Sequence, residues 1–300
     1  MAVFLINDKQ VHSYEQLLAE INGSQSYYPL YKQPDLFLYF SNLIKALSSN
    51  VPLILLDADL NANEIGGVDE SRMNVAETLP VKGEITIEEV IAAVQNSSSQ
   101  ITIFTSGTTG QPKKVVHNVQ NLTRSVRQGE KYNGQIWAYA YNPTHMAGLQ
   151  VFFQTFMNQN TLVNVFNKSR SEVYELIECQ KVTHISATPT FYRLLLPFEK
   201  EYPLVQRVTL GGEKSDSKLY DNITKIFPSA KINNVYASTE AGSLFAAKGD
   251  AFQLPEKLRN KFKIVDDELL IHRSLLGQSD NFRFCLLYTS PSPRDSTSSR

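Results

Sequence analysis

Little in this chain supports a covalent or extracellular scaffold. Its 300 residues hold only two cysteines, Cys179 and Cys285. Two cannot build a disulfide framework, and they lack the paired spacing of a zinc site. Long apolar runs are missing too: a stretch such as VPLILL falls far short of the ~20 residues that a membrane-spanning helix needs. The opening residues, MAVFLINDKQVHSYEQ, carry no basic region ahead of a short apolar stretch and make a poor secretory leader. Neither sign of charge is in excess, since 29 Lys and Arg oppose 30 Asp and Glu. That balance argues against nucleic acid as a partner, and no block of like charge suggests an interaction tail. The default expectation is a cytoplasmic enzyme or binding protein without a membrane span. Hydrophobic residues make up 42% of the chain, enough for a sizeable core in one large domain or two.

What is present is alternation. The runs at 51–58, 101–105, 136–142, 161–166, 183–188, 207–212 and 232–238 read as strands, most of them apolar enough to be buried on both faces. Helical periodicity fills the spaces between them. SYEQLLAEI opens with Ser13 and has Gln16 three residues on, a capping box. DLFLYFSNLIKALSSN, TIEEVIAAVQN, VQNLTRSVRQGEKY, MAGLQVFFQTFMNQ, RSEVYELIECQK, TPTFYRLLLPFEKEY and SKLYDNITKIF follow. The predicted fold class is α/β, with mixed, mostly parallel sheets flanked by helices. FKIVDDELLIH departs from this pattern and reads as a β-hairpin near 262–272, turning at Asp266 and Asp267. Residues 60–84 form a polar connection, and no internal repeat is visible.

The last segment, CLLYTSPSPRDSTSSR, has no periodicity and is crowded with Ser and Pro. A disordered tail is one reading. The other is a non-native tail, because CLLYTSPSPRD resembles one reading frame of a sequencing adapter. On that reading residues 285–300 are excluded from fold reasoning, and only Cys179 is an authentic thiol.

One loop stands out in ITIFTSGTTGQPKKVVH, Ile101 to His117. A strand ends at four hydroxyls within five residues: Thr105, Ser106, Thr108 and Thr109. Gly107 and Gly110 permit close backbone approach, Pro112 is rigid, and Lys113 and Lys114 bring positive charge. Such a set suits a polyphosphate, although composition alone also fits a solvent-exposed turn. The familiar P-loop G-x-x-x-x-G-K-[ST] does not fit, because Pro112 precedes Lys113, and no dinucleotide G-x-G-x-x-G is present.

The segment FTSGTTGQPKKVVH resembles the phosphate-binding loop of the adenylate-forming superfamily, with Lys114 where glycine is usual. Companion segments follow in order. YNPTHMAGLQVFF supplies Pro143, His145 and Gly148; THISATPTFYRLLL, VTLGGE and NNVYASTEAG come after, the last with Ala237 in place of the usual glycine. Similarity of this kind covers about 101 to 275 and implies a large N-terminal AMP-binding domain, at 1–284 here.

What the resemblance implies is ATP-dependent activation of a small carboxylic acid as an acyl-adenylate. Transfer to a thiol follows, coenzyme A foremost and a phosphopantetheine carrier next. The loop Thr105, Ser106, Gly107, Thr108, Thr109, Gly110 and Lys113 would hold the β- and γ-phosphates. Glu240 would bind Mg²⁺, a hard cation that prefers oxygen ligands; its plain alternative is a carboxylate at a helix start. Thr239 would bond the α-phosphate. Tyr236 would stack on adenine, with Gly211, Gly212 and Glu213 beside the base and Asn234 reaching it less directly. His145 would stand near the carboxylate, shielding charge or gating the acyl pocket. Phe152, Phe153 and Phe191 are pocket-lining candidates or ordinary core aromatics. His117, His184 and His272 have no motif behind them.

The T-G-D segment that anchors the ribose in the family is missing from LLIHRSLLGQSDNFRF, where Asp280 is a poor substitute. The hinge and the small C-terminal domain with its catalytic lysine are also absent. The expectation is therefore an incomplete domain, binding nucleotide weakly and poorly active by itself. A stand-alone adenylation domain or carrier-protein ligase, and a non-catalytic adenylate-binding relative, remain as alternatives.

Overall fold

A computed structural model describes residues 2–57, 65, 68–80, 83–105, 112–247, 254, 256–265, 268–278 and 286–287. Six strands run parallel in one sheet, in the order Lys231–Ser238, Arg207–Gly211, His184–Ala187, Ile136–Tyr139, Thr161–Asn164 and Val3–Asn7. Antiparallel strands Gly242–Ala247 and Gln10–Ser13 close its two edges, giving eight strands. A second sheet of four strands holds Leu30–Tyr31, Leu53–Leu55, Gln100–Thr105 and Lys113–Asn118. Its first three strands are parallel and the last is antiparallel.

The continuous apolar runs are explained by burial on both sides. Leu5, Trp137, Tyr139 and Leu162 face one core, while their neighbours Ile6, Ala138 and Val163 face another. The first core is shared with the second sheet and with helices Leu36–Ser48, Ile87–Gln95, Val119–Thr123 and Met146–Phe156. The second lies under helices Arg170–Cys179, Pro189–Leu194 and Ser217–Ile226. Phe152 and Phe153 are fully buried in the first core, and Phe40 stacks on Phe152 at 4.5 Å. They are core residues, each worth about 1.5–3 kcal/mol on burial. Phe191 is partly buried against the second core.

Local chemistry sets the element ends. Ser13 and Gln16 form the expected capping box of helix Tyr14–Gly23. The helix expected over VQNLTRSVRQGEKY is confined to Val119–Thr123, and the chain later passes through Gly129 at φ 120°, which no helix allows. That over TPTFYRLLLPFEKEY stops at Leu194, ahead of Pro197. The hairpin Phe262–Val265 and Glu268–Ile271 is present, joined by Leu286–Leu287 as a third strand. Its turn residues Asp266 and Asp267, together with Asp280 and 288–300, lie outside the described residues. Among those described, no helix is long and apolar enough to cross a membrane.

The order of strands creates an opening. Ile136–Tyr139 leads to its neighbour Thr161–Asn164 on one side, whereas the adjacent His184–Ala187 leads to Arg207–Gly211 on the other. Connections that leave in opposite directions open a crevice beyond the carboxyl ends of the two strands.

Candidate functional site

The expected residues gather at this edge. His145 follows strand Ile136–Tyr139, Gly211 to Glu213 follow Arg207–Gly211, and Thr239 and Glu240 follow Lys231–Ser238. Because these strands are parallel, their carboxyl ends all point to the same side of the sheet.

The loop carrying His145 is held on every side. Asn142 Nδ2 donates to the Asp57 carboxylate, two residues beyond strand Leu53–Leu55 of the four-stranded sheet. Asn142 Oδ1 accepts from the Thr144 amide at 2.9 Å and from its hydroxyl at 2.8 Å, an Asx-turn. The Tyr39 hydroxyl donates to Pro143 O at 3.1 Å. Gly148, one turn into the following helix, lets that helix lie directly on the loop. A Cβ there would sit 2.3 Å from Asn142 O and 2.8 Å from the Tyr139 hydroxyl. His145 itself is the N-cap residue, with its side chain exposed and making no cap bond. Surrounding protein still desolvates the ring and lowers its pKa, against the opposing pull of Asp57. The imidazole is therefore neutral near pH 7.

Gly211 pairs with Val235 inside the sheet, and Gly212 follows at φ 84°. A Cβ on Gly212 would meet nothing within 4 Å, so open space lies beside it. Glu213 is exposed, and its Oε2 accepts from the Thr190 amide at 3.0 Å and hydroxyl at 2.6 Å, bracing helix Pro189–Leu194. Tyr141 lies beneath. Burial raises its phenol pKa, and the Glu213 charge adds to that. Asn234 is buried, with Nδ2 donating to Ser215 Oγ at 3.2 Å. Tyr236 is half-buried and stacks on Phe245 at 4.8 Å.

Thr239 and Glu240 occupy a hairpin turn between antiparallel strands, where Ser238 pairs with Gly242, and not a helix start. Thr105 and Lys113 face each other across the other hairpin, the one that carries the hydroxyl-rich loop. Ser106, Gly107, Thr108, Thr109 and Gly110 lie outside the described residues. Lys113 is half-buried, and Lys114, one residue on in the strand, is exposed. His117 of the same strand meets Thr239 O at 2.8 Å, which places the turn against the strand that leaves the loop.

Among the described residues, no group of three or more His, Cys, Asp or Glu could hold a metal ion. Glu240 as a single half-buried carboxylate fits only a cation that takes its remaining oxygens from a phosphate ligand and water. Asp57, Tyr141, Asn142, Thr190, His117 and Arg124 were not anticipated. Of these, only Asn142 carried a local signal, the Asn-Pro-Thr of an Asx-turn. The others act through partners remote in sequence.

Comparisons with known proteins place the family and the fold. The family model described as AMP-binding enzyme matches residues 43–269. The D-alanine–D-alanyl carrier protein ligase of Lactococcus lactis is 29% identical over 203 residues, covering 60% of this chain and 40% of that one. The 2-succinylbenzoate–CoA ligase of Bacillus pumilus is 28% identical over 189 residues, covering 61% of this chain and 38% of that one. The chain thus spans less than half the length of these curated relatives. Among solved structures, the N-terminal domain of FACL13 from Mycobacterium tuberculosis superposes with a TM-score of 0.67 at 15% identity. It covers 94% of this chain and 87% of that one, and shows the same fold.

Proposed function

The chain belongs to the AMP-binding enzyme family, and from that premise we propose that it activates a carboxylic acid with ATP and passes the acyl group to a thiol. In the first half-reaction a carboxylate oxygen bonds to the α-phosphorus, the bond to pyrophosphate breaks, and an acyl-adenylate forms. In the second, a thiol displaces AMP and loses its proton. Coenzyme A is the acceptor of first choice. The observation that supports this reading is that His145, Gly211–Glu213 and Thr239–Glu240 all follow the carboxyl ends of parallel strands of one sheet, on the edge where the strand order reverses.

ATP supplies the electrophilic phosphorus and the leaving pyrophosphate. The chain's own task is positioning and charge stabilisation. The loop from Thr105 to Lys113 would hold the β- and γ-phosphates. Thr239 would donate to the α-phosphate, and Glu240 would hold Mg²⁺ against it. Gly212 leaves backbone and open space for the base, which would lie against Tyr236. The neutral His145 would stand at the reacting carboxylate without adding charge.

The test is ATP–pyrophosphate exchange by the complete gene product across a panel of acids. Glu240→Gln is expected to lower exchange on the order of 10²–10³-fold, the scale of losing one charge-stabilising group. Absence of exchange with any acid would leave only a non-catalytic adenylate-binding relative. Similarity to the carrier-protein ligase supports a second acceptor, a phosphopantetheinyl carrier protein. Thioester formation with coenzyme A or with carrier protein, each supplied alone, separates the two.

A further inference from the structure

Three successive carbonyls of the turn bearing Thr239 and Glu240 are held, each from a different point. His117 Nε2 lies 2.8 Å from Thr239 O. The Gly277 amide donates to Glu240 O at 2.7 Å. Arg124 donates to Ala241 O and also reaches Ser243 O at 3.4 Å and Leu275 O at 3.3 Å. Gly277 is tied to the strand of His117, because Val116 and Gln278 exchange backbone hydrogen bonds of 2.8 and 2.7 Å. The strand that leaves the hydroxyl-rich loop and the Thr239–Glu240 turn therefore form one hydrogen-bonded unit.

His117 is an expensive residue for mere filling. Its ring is 1% exposed, and among the described residues its buried Nδ1 has no hydrogen-bond partner. Since a carbonyl only accepts, the ring must carry its proton on Nε2. Gly277 closes the space beside it. A Cβ at that position would come 2.4 Å from His117 Cε1, so the ring has no room to swing away. An apolar side chain would fill the same volume without an unsatisfied nitrogen. What it would lose is the bond to Thr239 O.

We propose that His117 is a positioning residue for acid activation: its Nε2–H sets the Thr239–Glu240 turn at a fixed distance from Lys113 at the other end of its own strand. The inference rests on the proposed function for its chemical meaning, but not for its geometry. Along the strand, His117 stands four residues, or roughly 13 Å, from Lys113. One rigid element thus spaces the groups assigned to the β- and γ-phosphates from those assigned to the α-phosphate and the metal.

The test compares His117→Gln, whose amide nitrogen can stand near the Nε2 position, with His117→Phe, which fills the volume without a donor. Gly277→Ala displaces the ring without altering it. In the complete gene product, Phe and the Gly277 variant are expected to lower kcat for pyrophosphate exchange by about tenfold or more, with KM for the acid unchanged. Gln is expected to stay within about threefold of the parent. Equal kcat in the Phe variant and the parent would overturn the proposal. So would Gln and Phe losing kcat equally, in step with their loss of thermal stability, because only packing would then be at work. Amide hydrogen exchange across 239–243 gives a readout that needs no activity. It should quicken in the Phe variant but not in Gln, and equal exchange in all three proteins overturns the inference. If the parent shows no pyrophosphate exchange with any acid, the functional reading fails while hydrogen exchange still decides the role of His117.

Discussion

The two ends of the eight-stranded sheet treat the same kinds of residue in opposite ways. At the amino end, His184 is 6% exposed, packs against Trp137 with the rings tilted at 32° and 4.7 Å apart, and bonds Thr183 Oγ1 through Nδ1 at 2.9 Å. Thr183 in turn holds the Ile136 amide at 2.9 Å and, through its carbonyl, the Gln206 amide at 2.8 Å. At the carboxyl end, His145 is exposed at the start of a helix and Gly212 faces open space. One end has its polar groups turned inward to join strands. The other has its loops braced, by Asp57, Tyr39 and the Glu213–Thr190 bonds, so that His145 and Gly212 stay available. A site needs rigid supports under groups that are themselves unspent.

That contrast can be broken by experiments of decreasing expected effect on stability. Trp137→Ala should destabilise the fold by about 3–5 kcal/mol in denaturant unfolding, as removal of a buried aromatic does. A loss below about 1 kcal/mol would mean that the amino end is not where stability is concentrated. Acid should act next. Burial holds His117 and His184 at about 4, below their ordinary value of 6.5. The unfolded chain then binds more protons between those values, so stability is complete above pH 6.5 and falls as pH drops towards 4. The His117 share is roughly 3 kcal/mol, with less from the more solvated His184. Calorimetry from pH 7 to 4 checks it, and His184→Gln should flatten the slope. A slope untouched by that change would remove His184 from the account.

Gly148→Ala should cost about 2–3 kcal/mol by overpacking, because its Cβ meets a backbone carbonyl that cannot move alone. It should also shift His145, so exchange activity falls with stability; a neutral variant would show that the loop is not pinned. His145→Ala should change stability least, within about 0.5 kcal/mol as for other exposed sites. Acid activation should nonetheless fall on the order of 10–100-fold through loss of a group at the reacting centre. Loss of stability without loss of activity would reverse the assignment of this end of the sheet.

The difference between the ends also marks what a linear reading can reach. The seven strand runs were legible because a strand covered on both faces must be apolar at every position, as Leu162 and Val163 are. Edge strands Gln10–Ser13 and Gly242–Ala247 escaped notice, since each owes its place to pairing with a partner and not to its own pattern. The over-long helix after Asn118 failed for a related reason. Arg124 has helix-forming character, yet its guanidinium is engaged by carbonyls 117 and 151 residues away. At the candidate site, the placement of His145, Thr239 and Glu240 just after their strands was readable from the order of the motifs. The Asp57–Asn142 and His117–Thr239 contacts span 85 and 122 residues and left no local trace.

By itself, then, the sequence determined the class of fold, the caps of individual helices, and the candidate groups proposed to meet a ligand. These follow from side-chain periodicity and local backbone chemistry, which act over a few residues. Only the tertiary structure decided which of those groups share an edge, which aromatics belong to the core and which histidine holds a turn in place. Those outcomes depend on strand order and on contacts closed across the whole chain, where burial makes one arrangement far more favourable than its neighbours.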